Sequence, residues 1–252
     1  MRVVLIGSGN VATVMGRLIL RNKHEVVQVV SRNTEHAKQL ADELGCSWSG
    51  SNDAVDRDAD LYLVAVSDSA LYELNKSFHI GNKLIVHTAG SVSKEVLKDS
   101  SANFGVIYPL QSLRKEMEYT DDIPFLIDGN SEETITLLED FARTLSGKVG
   151  KASDDERLKL HVAAVVVSNF TNHLYALAEE FCAAEKIDFK LLAPLIKETA
   201  VRVEHHSPAS VQTGPAIRND IFTLDKHLRM LTNYPQLKYI YLKLTDSIMK
   251  KK

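Results

Sequence analysis

Six residues near the start of the chain, GSGNVA at 7–12, have the types and spacing to hold a diphosphate. Backbone amides do the binding in such a loop. The first glycine allows the sharp turn from strand to helix, the second lets the main chain approach the phosphates, and a third small residue lets helix and strand close on each other. Gly7, Gly9 and Ala12 fill these places, with Ser8, Asn10 and Val11 completing the cradle. The positive end of the following helix adds to the attraction for an anion. Tight turns with two glycines also arise for purely structural reasons. Here the motif follows an apolar strand and opens an alternating pattern, the context a dinucleotide site requires.

The end of the second strand selects the dinucleotide. A site for NAD places Asp or Glu there, about 20 residues past the glycines, to grip the ribose hydroxyls. This chain has Ser31-Arg32-Asn33-Thr34 instead. No carboxylate repels a 2′-phosphate, and a forked guanidinium flanked by two hydroxyls can bind one, so NADP is expected. The plain alternative is a solvated arginine in a surface turn. Two further strand ends face the same cleft, because ligands of open parallel sheets lie beyond the carboxyl ends of the strands. Val66-Ser67-Asp68 and His87-Thr88-Ala89 are therefore expected to line the ribose and nicotinamide. Asp68 also suits a helix N-cap, and His87, late in an apolar strand, also suits a satisfied core histidine.

These groups need a scaffold, and the apolar pattern supplies one. RVVLI (2–6) reads as a strand covered on both faces, followed by a helix over 10–21, a strand over 25–32, a helix over 34–45 closed by Gly45, and a strand over 61–66. Strands over 83–90, 102–110 and 123–129, a helix over 131–145 and a short KVGK segment continue the series. Alternation of this kind predicts an α/β fold, a doubly wound Rossmann-type sheet. From Ser153 to Lys186 no Gly or Pro interrupts a helical pattern, and the remainder reads helical apart from SPASVQTGP (207–215). An all-helical C-terminal domain is expected, with a division into 1–150 for the cofactor and 151–252 for substrate and dimerisation, and a cleft at the junction.

Bulk composition narrows the partners. With 30 basic and 33 acidic residues in 252, a net charge of −3 provides no basic footprint for nucleic acid or an anionic membrane, so a small-molecule substrate is expected. Cys46 and Cys182 stand far apart without a CxxC or Cys/His cluster, which predicts neither disulfide nor metal site and suits the reducing cytoplasm. Apolar runs fall short of the ~20 residues of a membrane span, and Met1-Arg2 leads straight into a strand, unlike a signal peptide.

The long helix carries the remaining candidates. Stepping 100° per residue from His161, Ser168 and Asn172 fall about 20° to either side and Asn169 about 80° away. A polar stripe thus runs along HVAAVVVSNFTNHLYALA, otherwise apolar and expected to be largely buried. Buried polar groups need partners, which a substrate, the nicotinamide amide or neighbouring helices would supply equally well. In TGPAIRND (213–220), Thr213 or Gly214 can cap a helix with Pro215 in its first turn, and Arg218 and Asp220 can pair. His205 and His206 lack further ligands and read as surface.

GSGNVA, AVSDSAL, HTAGSV, YPLQSL, HVAAVVVSNF and TGPAIRND together resemble a superfamily of NADP-binding oxidoreductases. It includes pyrroline-5-carboxylate reductase, the deazaflavin-dependent NADP oxidoreductases and the 3-hydroxyacid dehydrogenases. The chain is most similar to a bacterial group of Rossmann-like proteins with a C-terminal helical domain of unassigned function, which resembles the C-terminal domain of 6-phosphogluconate dehydrogenase. The resemblance implies that the helical domain lies beside the nicotinamide and that Arg218 holds a substrate carboxylate. Three positions depart from the pattern. Tyr108 stands where the group often has histidine, Asn219 where glycine is usual, and Val165 where hydroxyacid dehydrogenases place a lysine one turn before the asparagine. The expected activity is hydride transfer between NADP and a small C=N or C=O substrate, with His161, Tyr108 or Ser168 relaying the proton. The alternative is a non-catalytic NADP-binding sensor or scaffold. Apolar helix faces in the second half predict a homodimer.

Overall fold

The computed structural model describes residues 1–51, 54–74, 78–119 and 122–250. Its chain divides into two compact units, Met1–Ser168 and Asn169–Lys252. The sheet ends earlier, at Lys151, where the sequence turns to helix.

The first unit is an eight-stranded sheet in the order β3-β2-β1-β4-β5-β6-β7-β8. The strands are β1 (Arg2–Ile6), β2 (Glu25–Val30), β3 (Ser47–Ser49), β4 (Leu61–Val64), β5 (Leu84–His87), β6 (Asn103–Pro109), β7 (Phe125–Gly129) and β8 (Val149–Lys151). The helices are α1 (Asn10–Arg21), α2 (Thr34–Leu44), α3 (Asp68–Leu74), α4 (Glu132–Leu145) and α5 (Asp154–Ala164). All strand pairs are parallel except β6 with β7.

Alternation along the strands feeds two cores. Val3 and Leu5 of β1 join Met15 of α1, Leu40 of α2 and Phe141 of α4 on one face. Val4 and Ile6 join Tyr62 and Leu71 on the other. The unbroken apolar runs follow from this double coverage, since β1, β4 and β5 are buried on both sides. Local chemistry sets the helix starts. The Asn33 side chain accepts from the His36 amide (3.0 Å) to open α2, and Ser153 with Glu156 forms a capping box that opens α5.

Several strands stop short of their expected ends. β4 closes at Val64 and β5 at His87, which leaves 65–67 and 88–90 as loops at the carboxyl edge. β3 (SWS) is too short and polar to read as a strand, and only pairing with β2 makes it one.

The second unit contains α6 (Thr171–Ala184), α7 (Ala193–His205), α8 (Ile221–Met230) and α9 (Pro235–Met249). Leu177, Cys182, Ala216, Leu224 and Leu231 are its buried apolar residues, and Phe181 meets Tyr234 edge to face at 5.0 Å. Two expectations are corrected. The apolar helix is not largely buried within one chain, because Val162, Val166, Val167 and Phe170 are 51–72% exposed. It is not one straight α-helix either. Val165–Phe170 is a π-helical segment, so steps of 100° do not carry across it and the polar stripe drawn on that wheel does not hold.

Candidate functional site: a nucleotide cleft and a tyrosine–histidine pair

A cleft of about 730 Å³ opens at the carboxyl edge of β1, β2 and β4. Gly7, Ser8, Gly9, Asn10 and Val11 line it, as do Ser31, Arg32, Asn33, Val66, Ser67 and Thr88. Ala70 and Leu74 of α3 add an apolar wall that the sequence reading missed. Gly7 has φ +123°, and a Cβ there would lie 2.1 Å from the Ala65 carbonyl oxygen. Only glycine fits. A Cβ at Gly9 would meet nothing within 4 Å, so the main chain there is open to a ligand. Gly9 caps α1 without any side-chain hydrogen bond, which leaves the first amides of that helix for an anion. The Ser8 hydroxyl donates to Ser31 Oγ at 2.9 Å and ties the glycine loop to the end of β2. The cradle fits the diphosphate of a dinucleotide, and Arg32, just past the end of β2, lines the same cleft.

Four of the expected lining residues are placed otherwise. Thr34, Asp68, His87 and Ala89 do not line the cleft. Thr34 is the first residue of α2. Asp68 is the first residue of α3 rather than the residue before it, and it accepts from the Ser91 hydroxyl at 2.6 Å, which ties α3 to the loop after β5. His87 is fully buried. Its Nδ1 accepts from the Ala89 amide (3.1 Å), so Nε2 carries the proton and donates to the Ser93 carbonyl (3.3 Å). Burial, reinforced by the Arg157 charge, pushes its pKa down to about 4, so the ring is neutral. His87 shapes the loop after β5.

That loop leads from the cleft to a second cluster. Two residues beyond Thr88, Gly90 lies against Tyr108 and His161, where a Cβ would come within 2.7 Å of His161 Nδ1 and 2.9 Å of Tyr108 Cζ. The Tyr108 hydroxyl is hydrogen-bonded to His161 Nδ1 at 2.9 Å, with the rings edge to face at 5.8 Å. Tyr108 comes from the end of β6 and His161 from α5, so the pair needs both elements in register. Burial raises the phenol's pKa, and the Arg157 charge opposes that shift. Arg157 itself is 1% exposed, and its Nη2 donates to the Val92 carbonyl (2.5 Å) and to Asp154 (2.6 Å). Burial works against the Asp154 carboxylate, but bonds from Ser93, Arg157 and the Lys94 amide outweigh it and hold its pKa low. The sequence reading took Gly90 only as part of the HTAGSV strand end and missed Arg157. An arginine in a DDERLK stretch reads as solvated, and only the docking of α5 on the loop buries it.

Ser168 is half-buried in the π-helical segment and makes no hydrogen bond to the pair among the described residues. Asn169 and Arg218 belong to the second unit and are exposed. The TGPAIRND segment forms turns rather than a helix start. Asp220 caps α8, accepting from the Thr223 amide (3.1 Å) and hydroxyl (2.7 Å), and it forms no ion pair with Arg218 among the described residues. Asn219 takes φ 53°, the left-handed conformation that glycine would adopt freely, and the turn closes with Asp220 donating to the Pro215 carbonyl at 3.0 Å. His205 and His206 are exposed, and no cluster of metal ligands occurs among the described residues. No helix of the described residues is long and apolar enough to cross a membrane.

Comparison with known proteins agrees with this architecture. Residues 2–90 match the family described as NADP oxidoreductase, coenzyme F420-dependent, and residues 123–248 match a domain of unknown function, DUF2520. Among solved structures, a candidate NADP oxidoreductase from Bacteroides fragilis is 39% identical with a TM-score of 0.93, over 99% of this chain and 98% of that one. The fold is shared at lower identity by 1-pyrroline-5-carboxylate reductase from Streptococcus pyogenes (16%, TM-score 0.65, 99% of this chain and 98% of that one). It is shared too by a reductive aminase from Aspergillus terreus in complex with NADPH (15%, TM-score 0.72, 99% and 94%). A search of curated proteins found no match. The chain belongs to the family of Rossmann-fold NADP oxidoreductases with a C-terminal helical domain of unassigned function.

Proposed function

We propose that this NADP-dependent oxidoreductase reduces a small C=N or C=O substrate, with Tyr108 and His161 as its proton source. The observation that carries the reading is the Tyr108–His161 hydrogen bond at the strand edge that also forms the nucleotide cleft. When bound, NADPH supplies a hydride. The chain's own residues do the rest. Gly7 to Val11 hold the diphosphate on backbone amides, Ser31, Arg32 and Asn33 hold the adenosine ribose and its 2′-phosphate, and Val66, Ser67 and Thr88 border the remaining length. Tyr108 keeps a proton at Oη for the substrate heteroatom, and His161 renews it from solvent. A C=N substrate is favoured by the fold shared with a pyrroline-5-carboxylate reductase and a reductive aminase.

Residues 1–150 serve the cofactor in this reading, and 151–252 serve substrate and subunit contact, with Ser168, Asn169 and Arg218 as substrate-facing candidates. The exposed Val162, Val166, Val167 and Phe170 support a homodimer, since several large apolar side chains left exposed in one short stretch suit an interface. Two free cysteines, Cys46 half-buried and Cys182 buried, suit the reducing cytoplasm.

The test mixes the protein with NADPH and a panel of cyclic imines, ketoacids, ketones and a deazaflavin coenzyme, following loss of the reduced nicotinamide absorbance. Turnover that falls by about 10²-fold or more in Tyr108→Phe supports the assignment. Turnover unchanged in that variant refutes the proton role. Tight NADPH binding without turnover on any member of the panel favours the sensor. Arg32→Glu should weaken NADPH far more than NADH, and equal losses would remove Arg32 from the cofactor site.

A further inference from the structure

We propose that Arg157 is a positioning residue for the proton step: its permanent charge, sealed beside the ends of β5 and β6, stabilises the phenolate that Tyr108 becomes on giving its proton to substrate. The inference rests on the reading of the Tyr108–His161 pair as the proton source, and it names which of the two gives up the proton.

The observation is an expensive burial of which the hydrogen bonds use only one nitrogen. Arg157 is 1% exposed, yet only Nη2 is bonded, and Nε and Nη1 are buried without a partner among the described residues. Native proteins rarely leave buried donors unmet, and a buried cation costs more than a neutral group. Anchoring the Val92 carbonyl needs a single donor, which a neutral amide would supply. What a guanidinium adds is a charge that no accessible pH removes.

That charge bears on His87 and on Tyr108. Arg157 lies one helical turn before His161 on α5, whose Nδ1 meets the Tyr108 hydroxyl, and it bonds Asp154 and the Val92 carbonyl in the loop after β5; the charges facing His87 at the end of β5 are Arg157, Asp154 and Asp68. The Lys94–Asp128 ion pair (2.7 Å) links the loop after β5 to β7. Asp154 is shared among Ser93, the Lys94 amide and Arg157, so it offsets the cation only in part. Arg157 disfavours a proton on His87 and counters the effect of burial on the Tyr108 phenol. A buried cation therefore opposes an imidazolium at His87 and favours a phenolate at Tyr108. As the substrate carbon accepts the hydride, the π electrons of C=N or C=O move to the heteroatom, which takes the proton from Tyr108 Oη. The phenolate is then reprotonated through His161 Nδ1, 2.9 Å away, from solvent.

The experiment titrates the tyrosines of the free protein by NMR of ¹³Cζ-labelled tyrosine, with Tyr108→Phe assigning the Tyr108 signal. In Arg157→Gln, which keeps a donor for the Val92 carbonyl, the Tyr108 signal should hold its protonated chemical shift to a higher pH than in the wild type. Arg157→Lys should restore the wild-type titration, which a merely structural role would not predict. Asp154→Asn, which leaves the guanidinium without its carboxylate, should move Tyr108 the opposite way, and this holds the test open if Arg157→Gln does not fold. A Tyr108 signal unmoved in folded Arg157→Gln, or in Asp154→Asn where only that variant folds, overturns the proposal. Because the titration needs no turnover, it can fail while Tyr108→Phe still abolishes activity, and the reverse.

Discussion

Acidification should expose how firmly the end of β5 is sealed. His87 is fully buried with both ring nitrogens engaged inside its own loop, which requires the neutral tautomer with the proton on Nε2. Burial, with Arg157 adding to it, lowers the pKa from 6.5 to about 4. The folded value lies below the unfolded one, so the unfolded chain takes up the proton first as pH falls. The stabilisation is complete above pH 6.5 and disappears as pH drops through 4. The difference of about 2.5 units corresponds to roughly 3 kcal/mol, of which about 2 kcal/mol is already lost at a pH of about 5. Urea unfolding at a pH of about 7.5 and of about 5, on the wild type and on His87→Gln, measures it. Carboxylates such as Asp154 contribute equally to both proteins, so the histidine shows as the difference between the two losses. The wild type should lose about 2 kcal/mol more than the variant over that interval. An equal loss in both would refute the assignment of a neutral, sealed His87.

Three further outcomes follow from the geometry. Gly7→Ala places a Cβ 2.1 Å from the Ala65 carbonyl at φ +123°, so the melting temperature should fall by an amount equivalent to about 1–3 kcal/mol and calorimetric NADPH binding should be lost; a stable variant that binds normally would contradict the cradle. Gly90→Ala drives a methyl toward His161 Nδ1 and Tyr108 Cζ, and should lower kcat by about 10²-fold while NADPH affinity stays within about twofold, because Gly90 does not line the cleft. Sedimentation should show a dimer that Val167→Lys with Phe170→Lys converts to a folded monomer, since exposed positions cost within about 0.5 kcal/mol each in the isolated chain; a wild-type monomer would remove the interface.

The sheet was legible because parallel strands covered on both faces must be apolar throughout, and helices between them must carry one apolar stripe. RVVLI, EVVQVV and TEHAKQLADEL announce themselves on that ground, and Gly7 is marked because no other residue tolerates its backbone. The reversal at β7 left no such trace, since an apolar strand reads the same in either direction. The π-helical segment was equally silent. It departs from the α-helix by where one turn's hydrogen bonds close, and the side chains VVVSNF carry no signal for it.

Local chemistry thus determined the fold class and the glycine loop after β1, because each depends on apolar pattern or backbone freedom within a short stretch. Whether a polar side chain is solvated or sealed depends on residues far away in the sequence. The docking of α5 on the loop after β5 turned Arg157 from a surface arginine into a buried cation and His87 from a ligand candidate into a core group. It also brought Tyr108 and His161, 53 residues apart, into hydrogen-bond contact.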